Sequence, residues 1–175
     1  MGSKKKLLLV LLAAIVLLYF AYTNGFFNFV SFDQGLNKIK EIDKEFGLDE
    51  QKLVPDEKTE LEEYNERILE LKKEFSGKNQ NDEIKALNYL LDAKKELALL
   101  QMNLITLQET ADCQEQLELA GIIAESAVSV KDSMENYLEF DFSEKTTEWN
   151  ENALDTGNGL IVSFNELKQR LEQSC

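Results

Sequence analysis

The chain has 175 residues, with 19 Lys plus Arg against 33 Asp plus Glu, no His, one Pro and two Cys. That length suits one modest domain plus an anchor. The absence of His excludes Ser-His-Asp and Cys-His nucleophile systems, His-ligated zinc and the di-iron bundles built on Glu-x-x-His, and two thiols cannot make a four-thiolate metal site. A formal charge of −14 argues against a nucleic-acid binder, since phosphate recognition needs a clustered basic face.

Lys4, Lys5 and Lys6 precede an uninterrupted apolar run from Leu7 to Tyr22, with Phe26, Phe27 and Phe29 shortly after, and no charge falls between Lys6 and Asp33. A helix over 7–27 would be ~31 Å long, enough to cross a bilayer. The three lysines place residues 1–6 in the cytoplasm, and Tyr19, Phe20 and Tyr22 suit the far interface. Residues 7–27 are therefore read as a single-pass transmembrane signal-anchor in the cell membrane, with the rest of the chain extracytoplasmic. A cleaved secretory signal is the competing reading. Its apolar core is typically ~7–15 residues, and Ala21-Tyr22-Thr23-Asn24-Gly25 offers neither an Ala-x-Ala site nor a following Cys for a lipid. A pilin-type leader would need a basic-Gly junction and an early Glu. Gly2 instead precedes the lysines, and the run carries no acid.

From Asp33 onward the composition is Leu-, Glu-, Lys-, Gln- and Ala-rich without strand-like alternation, so the expected class is all-α: an N-terminal transmembrane helix followed by an antiparallel bundle of about four helices. Residues 28–54 read as a juxtamembrane linker with a short helix over Asp33–Phe46, carrying Leu36, Ile39 and Ile42 and ended by Gly47. Its docking on the bundle or standing apart as a stalk is left open. Residues 55–175 read as an acidic extracytoplasmic bundle. Its first helix spans about Pro55 to Ser76, where Leu61, Tyr64, Ile68, Leu71 and Phe75 step by 3 and 4 along one stripe.

Asn81 is placed to cap the next helix, which continues to about Thr110. Its apolar set, from Ile84 to Leu107, is too wide for one seam, so it should be central. Asp112 followed by Glu115 has capping-box spacing and starts a helix with Leu117, Ala120, Ala124, Ala127, Met134 and Leu138 on one face, interrupted by Lys131. The last segment starts at Asp141 or Ser143. In it, Gly157 and Gly159 mark the expected kink or break, because each Gly costs about 1 kcal/mol in a helix interior.

Helices joined by short turns pack antiparallel, which puts Cys113 and Cys175 at the same end of the bundle. With export, this predicts a Cys113–Cys175 disulfide, worth up to ~4 kcal/mol in the chain-entropy model. A reactive thiol at Cys113 is the functional alternative, but no His supports it. Cys113 to Leu138 spans ~38 Å as helix, and Ser143 to Cys175 would span ~48 Å. The bridge therefore requires that residues 139–146 be mostly loop or that the Gly157/Gly159 segment shorten the last helix.

Other motifs carry little. Ala153-Leu154-Asp155-Thr156-Gly157 resembles the apolar-Asp-Thr-Gly signature of aspartic proteases over five residues, but that family places it in an all-β fold. No calcium loop with alternating oxygen ligands is present. After Ala111, 14 acidic residues oppose four basic ones, a net of 14 − 4 = 10 negative charges, which reads first as a self-repelling, soluble surface. The expected function is a structural or adaptor role in the envelope, through contact with another envelope protein, with no catalysis, no cofactor and no metal. The alternative is a small-ligand or cation-binding sensor-type domain, with Trp149, Tyr137 and Tyr89 as candidate lining residues.

Overall fold

The computed structural model describes residues 30–78 and 81–174. Among them there is no strand, and five α-helices form a bundle: α1 (Phe32–Glu45), α2 (Lys58–Ser76), α3 (Asp82–Glu109), α4 (Cys113–Leu138) and α5 (Thr147–Ser174), with a 3-10 corner at Asp141–Thr146 before α5. No described helix is long and apolar enough to cross a membrane. The anchor expected at residues 7–27 lies outside the described residues.

Local chemistry sets the helix starts. Ser31 and Gln34 form a reciprocal capping box at α1, Asn81 Oδ1 accepts from the Ile84 N–H at 3.0 Å, and Asp112 Oδ1 accepts from the Glu115 N–H at 2.9 Å. Each satisfies a backbone donor that the first helical turn leaves unpaired. Gly47 ends the α1 region at φ 65°, a left-handed backbone that only Gly adopts without strain. Pro55 falls outside α2, which begins three residues later at Lys58.

Packing divides the molecule into two unequal halves. The stout half joins α1 (Phe32, Leu36, Ile39, Ile42), α2 (Leu61 to Phe75), the first part of α3 (Ile84 to Ala98), the end of α4 (Val130, Met134, Tyr137) and the start of α5 (Trp149, Ala153). The slender half joins only the end of α3 (Leu100, Leu104, Leu107), the first part of α4 (Ala120, Ile123, Ala127) and the end of α5 (Phe164, Leu167, Leu171). The residues expected to form a linker or stalk therefore belong to the core. Phe32 and Ile39 of α1 are each 1% exposed, so the bundle has five helices rather than about four.

The break expected at Gly157 and Gly159 is replaced by an unbroken α5 from Thr147 to Ser174. The interruption falls instead at residues 139–146. A Cβ on Gly157 would stand 3.3 Å from the Ala127 carbonyl oxygen, so this Gly serves close approach of α5 to α4 and its helix-propensity cost is offset by packing. The length mismatch closes by the same route. The 28 residues of α5 rise ~42 Å and the 26 of α4 rise ~39 Å.

Candidate functional site

A cleft of about 360 Å³ opens in the stout half where four segments meet. α1 supplies Leu36, Ile39, Lys40 and Asp43; the following loop supplies Leu48, Asp49 and Glu50; α3 supplies Leu90 and Lys94; the corner and first turn of α5 supply Lys145 to Trp149. The loop is held by its own turn chemistry, since Asp49 Oδ1 accepts from the N–H groups of Gln51 and Lys52 at 2.9 and 2.8 Å. These two backbone bonds hold the Asp49 carboxyl below its ordinary range. Asn152 of α5 ties the same loop down by donating to the Glu50 carbonyl at 2.6 Å.

The floor is a buried ion pair. Lys94 Nζ lies 2.9 Å from Asp43 Oδ2 and 3.1 Å from Oδ1, and 4.4 Å from the centroid of the Trp149 ring. Tyr64 of α2 donates its hydroxyl to Asp43 Oδ1 at 2.9 Å. One side chain from each of α1, α2, α3 and α5 therefore joins a single chain of contacts, Tyr64 to Asp43, Asp43 to Lys94 and Lys94 to Trp149. Burial pushes the Lys94 ammonium below its usual value, with Asp43 acting against that shift. Burial, then the Asp43 charge, pushes the Tyr64 phenol well above its own. A pair removed from water in this way is weak evidence of stability and better evidence of a specified geometry.

The 3-10 corner is fastened beside it. Thr146 Oγ1 lies 2.9 Å from Tyr137 Oη and 3.0 Å from Asn150 Oδ1, and Asn150 Nδ2 donates to the Ser143 carbonyl at 3.0 Å. Lys145 pairs with Asp33 across to α1. Phe142 stacks on Phe32 at 4.8 Å between ring centroids. The corner thus grips α1 at its start, and Lys94 grips it near its end.

Of the aromatic residues singled out from the sequence, Trp149 lines the cleft. Tyr137 is fully buried beneath the corner, and Tyr89 packs against Phe140 with ring centroids 6.2 Å apart. Cys113 opens α4 and is half-buried, while Cys175 lies outside the described residues. Gly157 and Gly159 sit on α5 and do not line the cleft. Asp155 is exposed on an unbroken helix. Among the described residues no three His, Cys, Asp or Glu side chains converge as metal ligands.

Neither Lys94 nor Asp43 is among the residues singled out from the sequence, where most Glu and Lys side chains read as the solvated faces of helices. The signal was present in the spacing. Lys94 falls between Leu87, Leu90, Leu91 and Leu97, Ala98 on the inward face of α3, and Asp43 continues the α1 stripe of Leu36 and Ile39. No protein-family model, no curated protein and no solved structure matches this chain.

Proposed function

We propose that the chain is a membrane-anchored, extracytoplasmic antiparallel helical bundle that acts by binding rather than catalysis, with the cleft between α1, α3 and the α5 corner holding a small polar molecule. The observation carrying this reading is the Lys94–Asp43 pair, 3% and 17% exposed, at the floor of a cleft walled by four separate segments. A pocket of this size with a few convergent polar groups is the ordinary form of a small-molecule site. The alternation of directions is supported by the two core clusters: the end of α3 meets the start of α4 and the end of α5, whereas the start of α3 meets the end of α4 and the start of α5. The same alternation brings the start of α4, with Cys113, toward the last turn of α5, as a Cys113–Cys175 disulfide requires.

Ligand-dependent thermal unfolding of the full chain across cationic, anionic and neutral small molecules tests the binding reading. A saturable rise in Tm, abolished by Leu36→Trp in the cleft wall, is expected; no saturable response from any class removes the reading. Thiol labelling with and without reductant, combined with protease access from outside intact cells, tests the topology. Thiols blocked until reduction and a domain cut from outside are expected, whereas freely reacting thiols on a shielded domain would place the bundle in the cytoplasm.

A second reading, contact with another envelope protein, is favoured by the exposed apolar side chains of the slender half. Ile122 and Val128 of α4 and Val162 of α5 are 46%, 43% and 60% exposed. A photo-crosslinker at 122 or 162 should then give one discrete adduct in the native membrane and none when placed at 151 in the stout half. Equal labelling at all three positions removes this reading.

A further inference from the structure

We infer that the molecule this cleft receives is a small organic cation, a primary ammonium group on an aliphatic or aromatic body. The inference rests on the binding reading above and assigns its ligand chemistry. Three lysines line the cleft, but two are already matched: Lys94 by Asp43 and Lys145 by Asp33. Lys40 alone remains against Asp49, Glu50 and Glu148, so the lining leaves an excess of negative charge, on a chain whose formal charge is −14. On the floor, Asp43 is the more open member of the ion pair, and its two oxygens are unequally used. Oδ1 accepts from both Tyr64 and Lys94, whereas among the described residues Oδ2 accepts from Lys94 only. A carboxylate oxygen has two lone pairs, so Oδ2 has capacity for one more donor.

The polar contact offered on the floor is therefore an acceptor, in a cleft whose mouth favours positive charge. An anion would face a lysine already neutralised. A bare divalent ion would lack three converging carboxylates among the described residues. The walls explain the organic part: Leu48, with the narrow edges that Leu36, Ile39 and Leu90 leave outside the core, gives apolar cover for a short aliphatic or aromatic body, and a charged head with an apolar body is what mixed lining of this kind accepts.

The test uses the full chain in phosphatidylcholine nanodiscs, titrated calorimetrically at constant ionic strength with 1,4-diaminobutane, tyramine, glutarate and Mg²⁺. One saturable site for the amines is expected, at least ten-fold weaker in the mouth variant Glu50→Gln/Glu148→Gln and unchanged in the remote control Glu118→Gln/Glu172→Gln. Lys40→Met should tighten amine binding two- to three-fold. Asp43 is left intact in this series, because its loss would strand Lys94. Equal weakening in mouth and control variants, or weaker amine binding in Lys40→Met, overturns the amine assignment. Saturable glutarate binding without amine binding overturns the ligand class while leaving a binding cleft in place, and no saturable binding by any probe removes both.

Discussion

The two halves of this bundle are built from the same three long helices and differ in what is laid against them. In the stout half, α1 and α2 cover the first part of α3, and the largest fully buried side chains, including Tyr64, Tyr137, Phe32 and Phe75, gather there. In the slender half, α3, α4 and α5 enclose five buried residues, and the largest of these, Phe164, is still 8% exposed. Small residues, Ala120 and Ala127 among them, allow that thin section to close. The buried ion pair occurs only where five helices are present to hold it, because desolvating a charge is tolerable only with fixed partners around it.

Breaking the ion pair gives the largest expected effect. Asp43→Asn should cost about 3–5 kcal/mol in denaturant unfolding, as expected when one partner of a buried pair is removed. The double variant Asp43→Asn/Lys94→Met should recover most of that loss. Recovery would show that the pair serves geometry more than stability, and a double variant as unstable as the single one would sink that idea.

Truncating one ring in each half compares the halves directly. Phe75→Ala should cost about 3–5 kcal/mol, and Phe164→Ala at least about 1 kcal/mol less, since a partly wet, three-helix site loses less apolar burial. Native-state hydrogen exchange should rank the halves in the same order, with amides of 84–98 opening last and those of 160–171 earlier. Equal costs and equal protection would mean that the bundle opens as one unit.

Glycine replacements sharpen the contrast on a smaller scale. A Cβ on Gly35 would run into the Leu87 side chain, whereas one on Gly159 meets nothing within 4 Å. Gly35→Ala is expected to destabilise by about 1–3 kcal/mol through overpacking. Gly159→Ala should stabilise by about 0.5–1 kcal/mol through helix propensity. A loss of Tm in Gly159→Ala would reveal a packing role for that position.

A further effect, comparable to the glycine replacements, is pH-dependent. Tyr64 ordinarily titrates at 10.0 and is held protonated well above that in the fold, so the folded state keeps a proton that the unfolded chain releases. Its contribution is complete below pH 10 and is lost as pH rises toward its folded value. Lys94, lowered from 10.5, acts with opposite sign: the unfolded chain holds its proton to higher pH, so stability rises with pH between the lowered value and 10.5. Tyr64→Phe should cost about 1 kcal/mol at neutral pH for the lost hydrogen bond and flatten the alkaline fall. An unchanged alkaline limb would place its origin elsewhere.

Much of the helical layout was legible from the chain because its signals are local. Asn81 and Asp112 cap the helices that their spacing predicts, Gly47 takes the left-handed turn, and the Leu61 to Phe75 stripe is buried as its 3-and-4 stepping requires. Gly157 was misleading because propensity counts only the helix it sits in, while its packing partner is the Ala127 carbonyl of another helix. The site was less legible still. Trp149 was singled out for its chemistry, but Lys94 and Asp43 are 51 residues apart and resemble the many solvated charges around them.

The sequence by itself determined an acidic, His-free, helical chain with an apolar N-terminal run, since composition, capping and periodicity act within a few residues. Tertiary structure alone decided that α1 docks as a fifth helix, that α5 runs through its glycines, and that a lysine is buried against Asp43 and Trp149. Those outcomes depend on which side chains approach across the bundle, and one-dimensional spacing places a residue on a face without saying what that face will meet.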